Sequence, residues 1–171
     1  NIDRVNDTAP LTFHGAAVSF TGNASAASSE TMGNATFSRG ASTITVTPGT
    51  GQSASVALGD VNRDTAGVAF FRGTGLGSAP GANIANITFN TPPALVGGGG
   101  AAGSTNISIM PWAYGNTSAA AAQSSGTNTF VTYGANGVRP LDPTSEFANS
   151  FFAATAATSN VRLVAADQVV A

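Results

Sequence analysis

The sequence predicts an all-β protein built as a parallel β-solenoid, with glycine-rich turns joining short strands. Three observations carry that expectation. From Ala41 to Gly49 the chain reads A-S-T-I-T-V-T-P-G, with Ile44 and Val46 on one parity and Thr43, Thr45 and Thr47 on the other. This is period-2 alternation with β-branched residues on both faces, stopped by a proline and a glycine. The same pattern recurs in looser form at Leu11/Phe13, Val18/Phe20, Val56/Leu58, Ile87/Phe89 and Ile107/Ile109. The apolar centres beyond residue 70 fall about 20 residues apart, a spacing of stacked turns rather than of hairpins. The competing architecture is an antiparallel β-sandwich, which also uses short strands and polar turns.

Composition narrows the function classes. The chain has 171 residues, enough for one buried core. Only 8% of them are charged, there is no lysine or cysteine, and the net charge is -2. Nothing in that balance attracts nucleic acid or anionic lipid. The lack of cysteine removes disulfides and thiolate metal sites. No apolar run reaches about 18 residues, so no transmembrane helix is expected. Abundant Asn, Thr, Ser, Gly and Ala with so few charges fit an exported protein, extracellular or on a bacterial cell surface. A single domain is expected over 1–171, from which a signal peptide has been removed or which is a segment of a longer passenger.

Taken in order, residues 1–9 are the most charged stretch and are expected to cover one end of the stack. Strands are expected at 11–14 and 17–21, at 34–38 and 41–47, and at 53–58. A small-residue loop covers 22–29. Asp60, Asn62 and Asp64 alternate as in the first half of a calcium loop, a weak metal candidate. The glycine and the closing glutamate of that motif are replaced by Thr65 and Phe71. An Asp/Asn turn is the plainer reading. A strand at 66–72 leads to G-T-G-L-G-S-A-P-G, which has no following helix to make a phosphate cradle. Strand 84–90 is followed by four consecutive glycines at 97–100, the best candidate for a mobile loop. Further strands are expected at 106–110, 127–133 and 160–165. The stretch Ser145–Ala157 is expected to form a short helix or cap.

Two runs point to a family. V-N-D-T-A-P-L-T-F-H-G-A-A-V-S-F-T-G-N at 5–23, then S-E-T-M-G-N-A-T-F-S-R-G-A-S-T-I-T-V-T-P-G at 29–49, resemble the autotransporter-associated β-strand repeat of large bacterial surface proteins. I-M-P-W-A-Y-G-N, T-F-V-T-Y-G-A-N-G-V-R-P-L and S-N-V-R-L resemble the continuation found beside such repeats. The resemblance implies a right-handed parallel β-solenoid in an exported passenger, and it carries no catalytic motif.

Chemistry-bearing residues are sparse. His14 is the only histidine, and alternation places it outside. Of the eight acids, only Asp60 with Asp64 and Asp142 with Glu146 lie close in sequence. The first pair, with Arg63 and Arg72, is the nearest approach to a polysaccharide-lyase constellation. No enzyme and no cofactor are expected. Trp112 and Tyr114 share a parity and Tyr133 lies one expected turn later, so exposed together they would make a sugar-stacking platform; buried, they are core. Thr43, Thr45 and Thr47 also match the spacing of an ice-binding row. Of six Asn-x-Ser/Thr sequons, Asn23 and Asn116 lie in expected loops and are the better glycosylation acceptors. The function expected from all this is structural: a surface or filament-forming protein whose partner is itself. The alternative is an adhesin or glycan-binding module recognising surface glycans.

Overall fold

The computed structural model describes residues 4–163. Ten strands form two sheets. They are β1 (Leu11–His14), β2 (Ala17–Thr21), β3 (Ser28–Met32), β4 (Ala35–Thr47), β5 (Ala54–Leu58), β6 (Val61–Gly73), β7 (Ala85–Phe89), β8 (Met110–Asn116), β9 (Thr129–Gly134) and β10 (Gly137–Pro140). A seven-stranded sheet runs β1-β4-β6-β8-β9-β10, with β2 also on β4, and a three-stranded sheet runs β3-β5-β7.

The expected right-handed parallel β-solenoid is overturned, and so is the antiparallel sandwich. The large sheet is mixed. β1, β2, β4, β6 and β8 pair in parallel, whereas β8-β9 and β9-β10 are antiparallel. The small sheet is wholly parallel. A regular solenoid repeats one period from turn to turn, lengthened only by loop insertions, and keeps every turn parallel to the last. Here Ala17 pairs with Thr43 and Ser28 with Ala54, an offset of 26 residues. Later Ala54 pairs with Ala85 (31 residues) and Ala69 with Ala113 (44 residues). After β8 the chain turns back on itself instead of making another parallel turn.

Two expected strands, 34–38 and 41–47, are one. β4 runs through Gly40 and bends at a bulge: Phe37 pairs with Arg63 and Arg39 with Ala66, leaving one extra residue on β6. Gly67 allows this bend, because a Cβ there would overlap the Phe37 carbonyl oxygen. The start of β6, expected as an Asp/Asn turn, is extended because it pairs with Ala35–Phe37. The strand expected at 106–110 is mostly loop, tied to Val96 by a single bridge at Ile109. The helix expected at 145–157 reduces to one 3-10 turn, Phe151–Ala153, capped by the Ser150 hydroxyl. The expected chain end at 164–171 lies outside the described residues.

The core fills the space between the two sheets. Its spine is a file of rings. Phe13 stacks on Phe37 at 4.8 Å, Phe37 meets Phe71 edge-on at 5.9 Å, Phe71 meets Phe89 at 5.9 Å, and Phe89 stacks on Tyr133 at 5.2 Å. Offset and edge-on contacts at these separations add to the burial of each ring. Ile44, Val46, Val56, Leu58, Ile87, Met110, Val131 and Val138 complete the cluster.

Candidate functional site

The three candidate aromatics do not meet. Trp112, half-buried, leans on Phe37 at 5.6 Å and packs against the core. Tyr133 joins the core through Phe89; its hydroxyl accepts from the Phe89 amide and donates to the Phe89 carbonyl. Tyr114 lies on the opposite face of the large sheet, stacked on Phe70 at 4.6 Å. The shared parity of 112 and 114 fails because β8 is irregular between Met110 and Tyr114, where Pro111 has no amide to give the ladder.

Asp60, Asn62 and Asp64 lie along an extended strand start. Alternate residues there are about 6.6 Å apart, too far to curl around one ion with ligands at about 2.3–2.6 Å. Asp64 instead accepts from the Ser38 hydroxyl and from the Thr65 amide. Among the described residues, no three His, Asp or Glu side chains gather closely enough to hold a metal. Arg63 turns back onto the Gly67 carbonyl. Arg72 points to the other side of the molecule, donating to the Thr45 hydroxyl. His14 is exposed.

Asp142 and Glu146 come together, but as a lock. Glu146 is 1% exposed and takes a two-pronged hydrogen bond from Arg139, at 2.7 and 2.8 Å. The Gly103 and Asp142 amides donate to the same carboxylate. Burial pushes this carboxyl up, and the Arg139, Gly103 and Asp142 hydrogen bonds together outweigh it, leaving Glu146 below its ordinary value. Asp142 is also held low, by the Thr144 amide and hydroxyl and the Ser145 hydroxyl. Every oxygen of Glu146 is occupied, so it has no lone pair aimed at a substrate. The same lock pins Gly103; the Gly98 and Gly100 amides donate to the Asn106 carbonyl, and the Gly99 amide to Ser108. The four-glycine stretch is therefore laced to its surroundings.

The two favoured glycosylation sites differ. Asn23 is exposed, its side-chain oxygen accepting from the Ser25 amide. Asn116 is buried at the end of β8, and its amide donates to Thr127 and to Asn128. A glycan cannot be attached there in the folded chain.

The outer face of β4 is covered at Thr43 and Thr45. Residues 117–128 lie over it as a strap. Gln123 donates to the Thr43 hydroxyl, and Arg72 bridges Thr45 and the Ala121 carbonyl. Thr43 and Thr45 are each 5% exposed, so no open threonine row exists for ice. The strap's composition, Asn, Ser, Ala and Thr, reads as plain loop, and no local signal discloses its docking.

The feature that does reach solvent with its bonding capacity free is an edge. The Thr43 amide donates to the Ala16 carbonyl, and the Gly22 amide to the Thr47 carbonyl. In a parallel pair alternate residues address one neighbour. The backbone groups of Ala17, Ser19 and Thr21 therefore point away from β4, and those of Thr12 away from it in β1. By the same rule Ser29 and Thr31 point away from β5, because the Ser28 amide donates to the Ser53 carbonyl. All six residues are exposed. Among the described residues β1, β2 and β3 have no strand on that side. Residues 4–9 close the core at this end without pairing the edge. The Arg4 and Val5 amides donate to the buried carboxylate of Glu30, the Arg4 guanidinium lies 4.6 Å from the Phe20 ring, and it reaches the Thr21 carbonyl. The N-terminal cover expected from the charge pattern is present over 4–9; Asp3 lies outside the described residues.

No family model, curated protein or solved structure matches the chain. Among the described residues no helix is long and apolar enough to cross a membrane.

Proposed function

We propose that this is a structural protein of the cell exterior that works by associating with copies of itself, through the exposed edge of β1, β2 and β3. The carrying observation is that edge: unpaired backbone along β1, β2 and β3, where the outward-pointing Thr12, Ala17, Ser19, Ser29 and Thr31 carry small side chains. Natural edge strands are ordinarily guarded by lysine, proline, bulges or inward charges. β1, β2 and β3 contain no lysine, arginine or proline. Their one inward charge, Glu30, already accepts from Arg4 and Val5, so a new strand would leave it satisfied. A net charge of -2 over 171 residues adds little repulsion between copies. The reading is non-catalytic, in keeping with the saturated Glu146 and the scattered Asp60, Asp64, Arg63 and Arg72. The exterior location rests on the composition and on the resemblance to exported surface passengers.

Light scattering over a concentration series tests it. Mass should rise with concentration for the native chain and rise less for Ser19→Pro, which removes an outward amide while leaving the pairing with β4 intact. A native chain that stays monomeric throughout would overturn the proposal.

A further inference from the structure

A second contact surface lies at the far side of the large sheet. Tyr114 of β8, Thr129 and Phe130 of β9, and Phe147, Val161 and Arg162 wall a cavity of about 220 Å³. It is smaller than the roughly 300–1,000 Å³ of a small-molecule site, and its walls offer little to read hydroxyls. The Thr129 hydroxyl donates to the Leu141 carbonyl. Asn128, at its rim, gives both amide protons to the Ala122 and Gln123 carbonyls and accepts from Asn116. Arg162 is turned toward the Gly126 carbonyl. What remains is aromatic: Phe130 and Phe147 stack at 6.4 Å, and Tyr114 backs onto Phe70. The cavity suits one apolar ring.

The chain displays such rings beside it. Phe152 is 78% exposed and Phe151 51%. They sit on the 3-10 turn at the tip of a loop whose base, the Ala148–Val161 bridge, adjoins the cavity wall. Phe151 follows Phe147, a wall residue, by four residues, so their Cα atoms are within about 14 Å of each other. Phe130 and Leu163, 41% and 48% exposed, extend the patch. Exposed large apolar groups concentrated this way mark an interaction surface.

We propose that the occupant is a second copy of this chain, Phe152 of each copy entering the aromatic cavity of the other about a two-fold axis. Socket and plug on one patch are what a self-complementary contact requires. The three exposed phenylalanines alone would cover about 300–400 Å² per copy, taking a phenylalanine's burial as about 150–250 Å². With Leu163 and the rim, the contact falls below the roughly 1,200 Å² of a stable interface. It is therefore weak, populated at high protein concentration, and it links copies already joined by a second contact. That second contact is the β1-β2-β3 edge, on which this inference rests in part. β2 and β9 are separated by β4, β6 and β8 in the large sheet, so the two surfaces lie on opposite flanks. Two different two-fold contacts on opposite flanks give an open chain of copies, alternately edge to edge and patch to patch.

The test compares particle mass by light scattering for the native chain, Phe152→Ser, Ser19→Pro and the double variant. Phe152 is largely exposed and belongs to neither apolar cluster, so Phe152→Ser should fold with unchanged circular dichroism. Expected are open-ended assemblies for the native chain, dimers for each single variant at high concentration, and monomers for the double. A Phe152→Ser mass distribution equal to the native one would overturn the patch contact and leave the edge standing. A Ser19→Pro distribution equal to the native one would overturn the edge instead. A native chain monomeric at every concentration would overturn both.

Discussion

On β2 the backbone groups of Ala17 and Ser19 face solvent; nearby, the Arg4 and Val5 amides serve Glu30, and the Arg4 guanidinium covers only the Thr21 carbonyl at the strand's end. On β10, at the other end of the same sheet, the edge is closed. Pro140 has no amide to offer, and Gly137 lies so close to the Ile87 carbonyl that a Cβ would overlap it. Asn136 and Asn86 cross-link the hairpin turn to β7 and its flank. The difference follows from connection chemistry. In residues 11–89 the chain adds parallel strands, and every addition leaves an edge like the one before. In residues 110–140 the two-residue turn Ala135–Asn136 folds β10 back on β9, and an antiparallel return brings its own covering. An open-ended half and a self-terminating half thus share one sheet.

The largest expected effect breaks both halves at once. Ile44→Asp would put a carboxylate into the core between the sheets, where Ile44 is 2% exposed. An unpaired buried charge costs several kcal/mol, a large share of a margin of about 5–15. β4 pairs with β1, β2 and β6, and β8 is built on β6. Loss of the parallel half should therefore take the antiparallel half with it. Circular dichroism melting should show a single, strongly lowered transition. Survival of a protected 110–140 segment in hydrogen exchange would show that the antiparallel half stands alone.

The next effect is confined to the second half. Glu146→Ala would leave the Arg139 guanidinium and the Gly103 and Asp142 amides without their acceptor. Breaking a buried pair from one side costs about 3–5 kcal/mol. The lower end, about 3, applies because the Arg139 side chain is 27% exposed. Hydrogen exchange should rise near 101–104 and 137–148 with β1–β5 unchanged; a uniform rise would mean that the halves do not differ in stability. Acid should act on the same lock. Because the folded Glu146 carboxyl lies below its ordinary 4.5, its contribution is full above that value and is lost as pH falls through the lowered one. Melting temperature should be flat from pH 7 to about 5 on this account and fall below about 4.5. Glu146→Gln, which does not titrate, should flatten part of that fall.

How much of this could be read in advance depended on range. The alternation of Ile44 and Val46 marked the buried face of β4 because burial acts on every second residue. It could not mark the other face. What covers Thr43 and Thr45 is Gln123 and Arg72, the first of them 80 residues away and in a stretch with no periodicity. β3 was missed because its inward residues are Ser28, Glu30 and Met32, and two of the three do not look like core. Without β3, the 26-residue offset of the parallel half was hidden and a shorter step took its place. Asn116 read as a loop sequon because asparagine and serine are common in turns. It closes a strand instead, held by Thr127 and Asn128. His14 and Asn23, by contrast, are exposed as their local sequence indicates.

The smallest effect isolates what the strap adds to one end of the sheet. Ser19 and Thr45 are paired neighbours on the same face. The strap of residues 117–128 reaches Thr45, which is buried and accepts from Arg72, and stops short of Ser19, which is exposed. Thr45→Val keeps the shape and removes the acceptor, leaving the Arg72 Nε proton unmatched beneath the strap. A lost internal hydrogen bond of this kind costs about 1 kcal/mol, with the valine methyl only partly offsetting it. Ser19→Ala removes a hydroxyl that faces water and should change stability by less than about 0.5 kcal/mol. Thermal melting of the two variants at low protein concentration, where association does not contribute, should therefore separate them by at most about 2–4 °C. Faster exchange at 117–128 should accompany Thr45→Val alone. Equal melting temperatures would mean that the strap rests on β4 and β6 without holding them, and that the covered face of the sheet is no more stable than its bare edge.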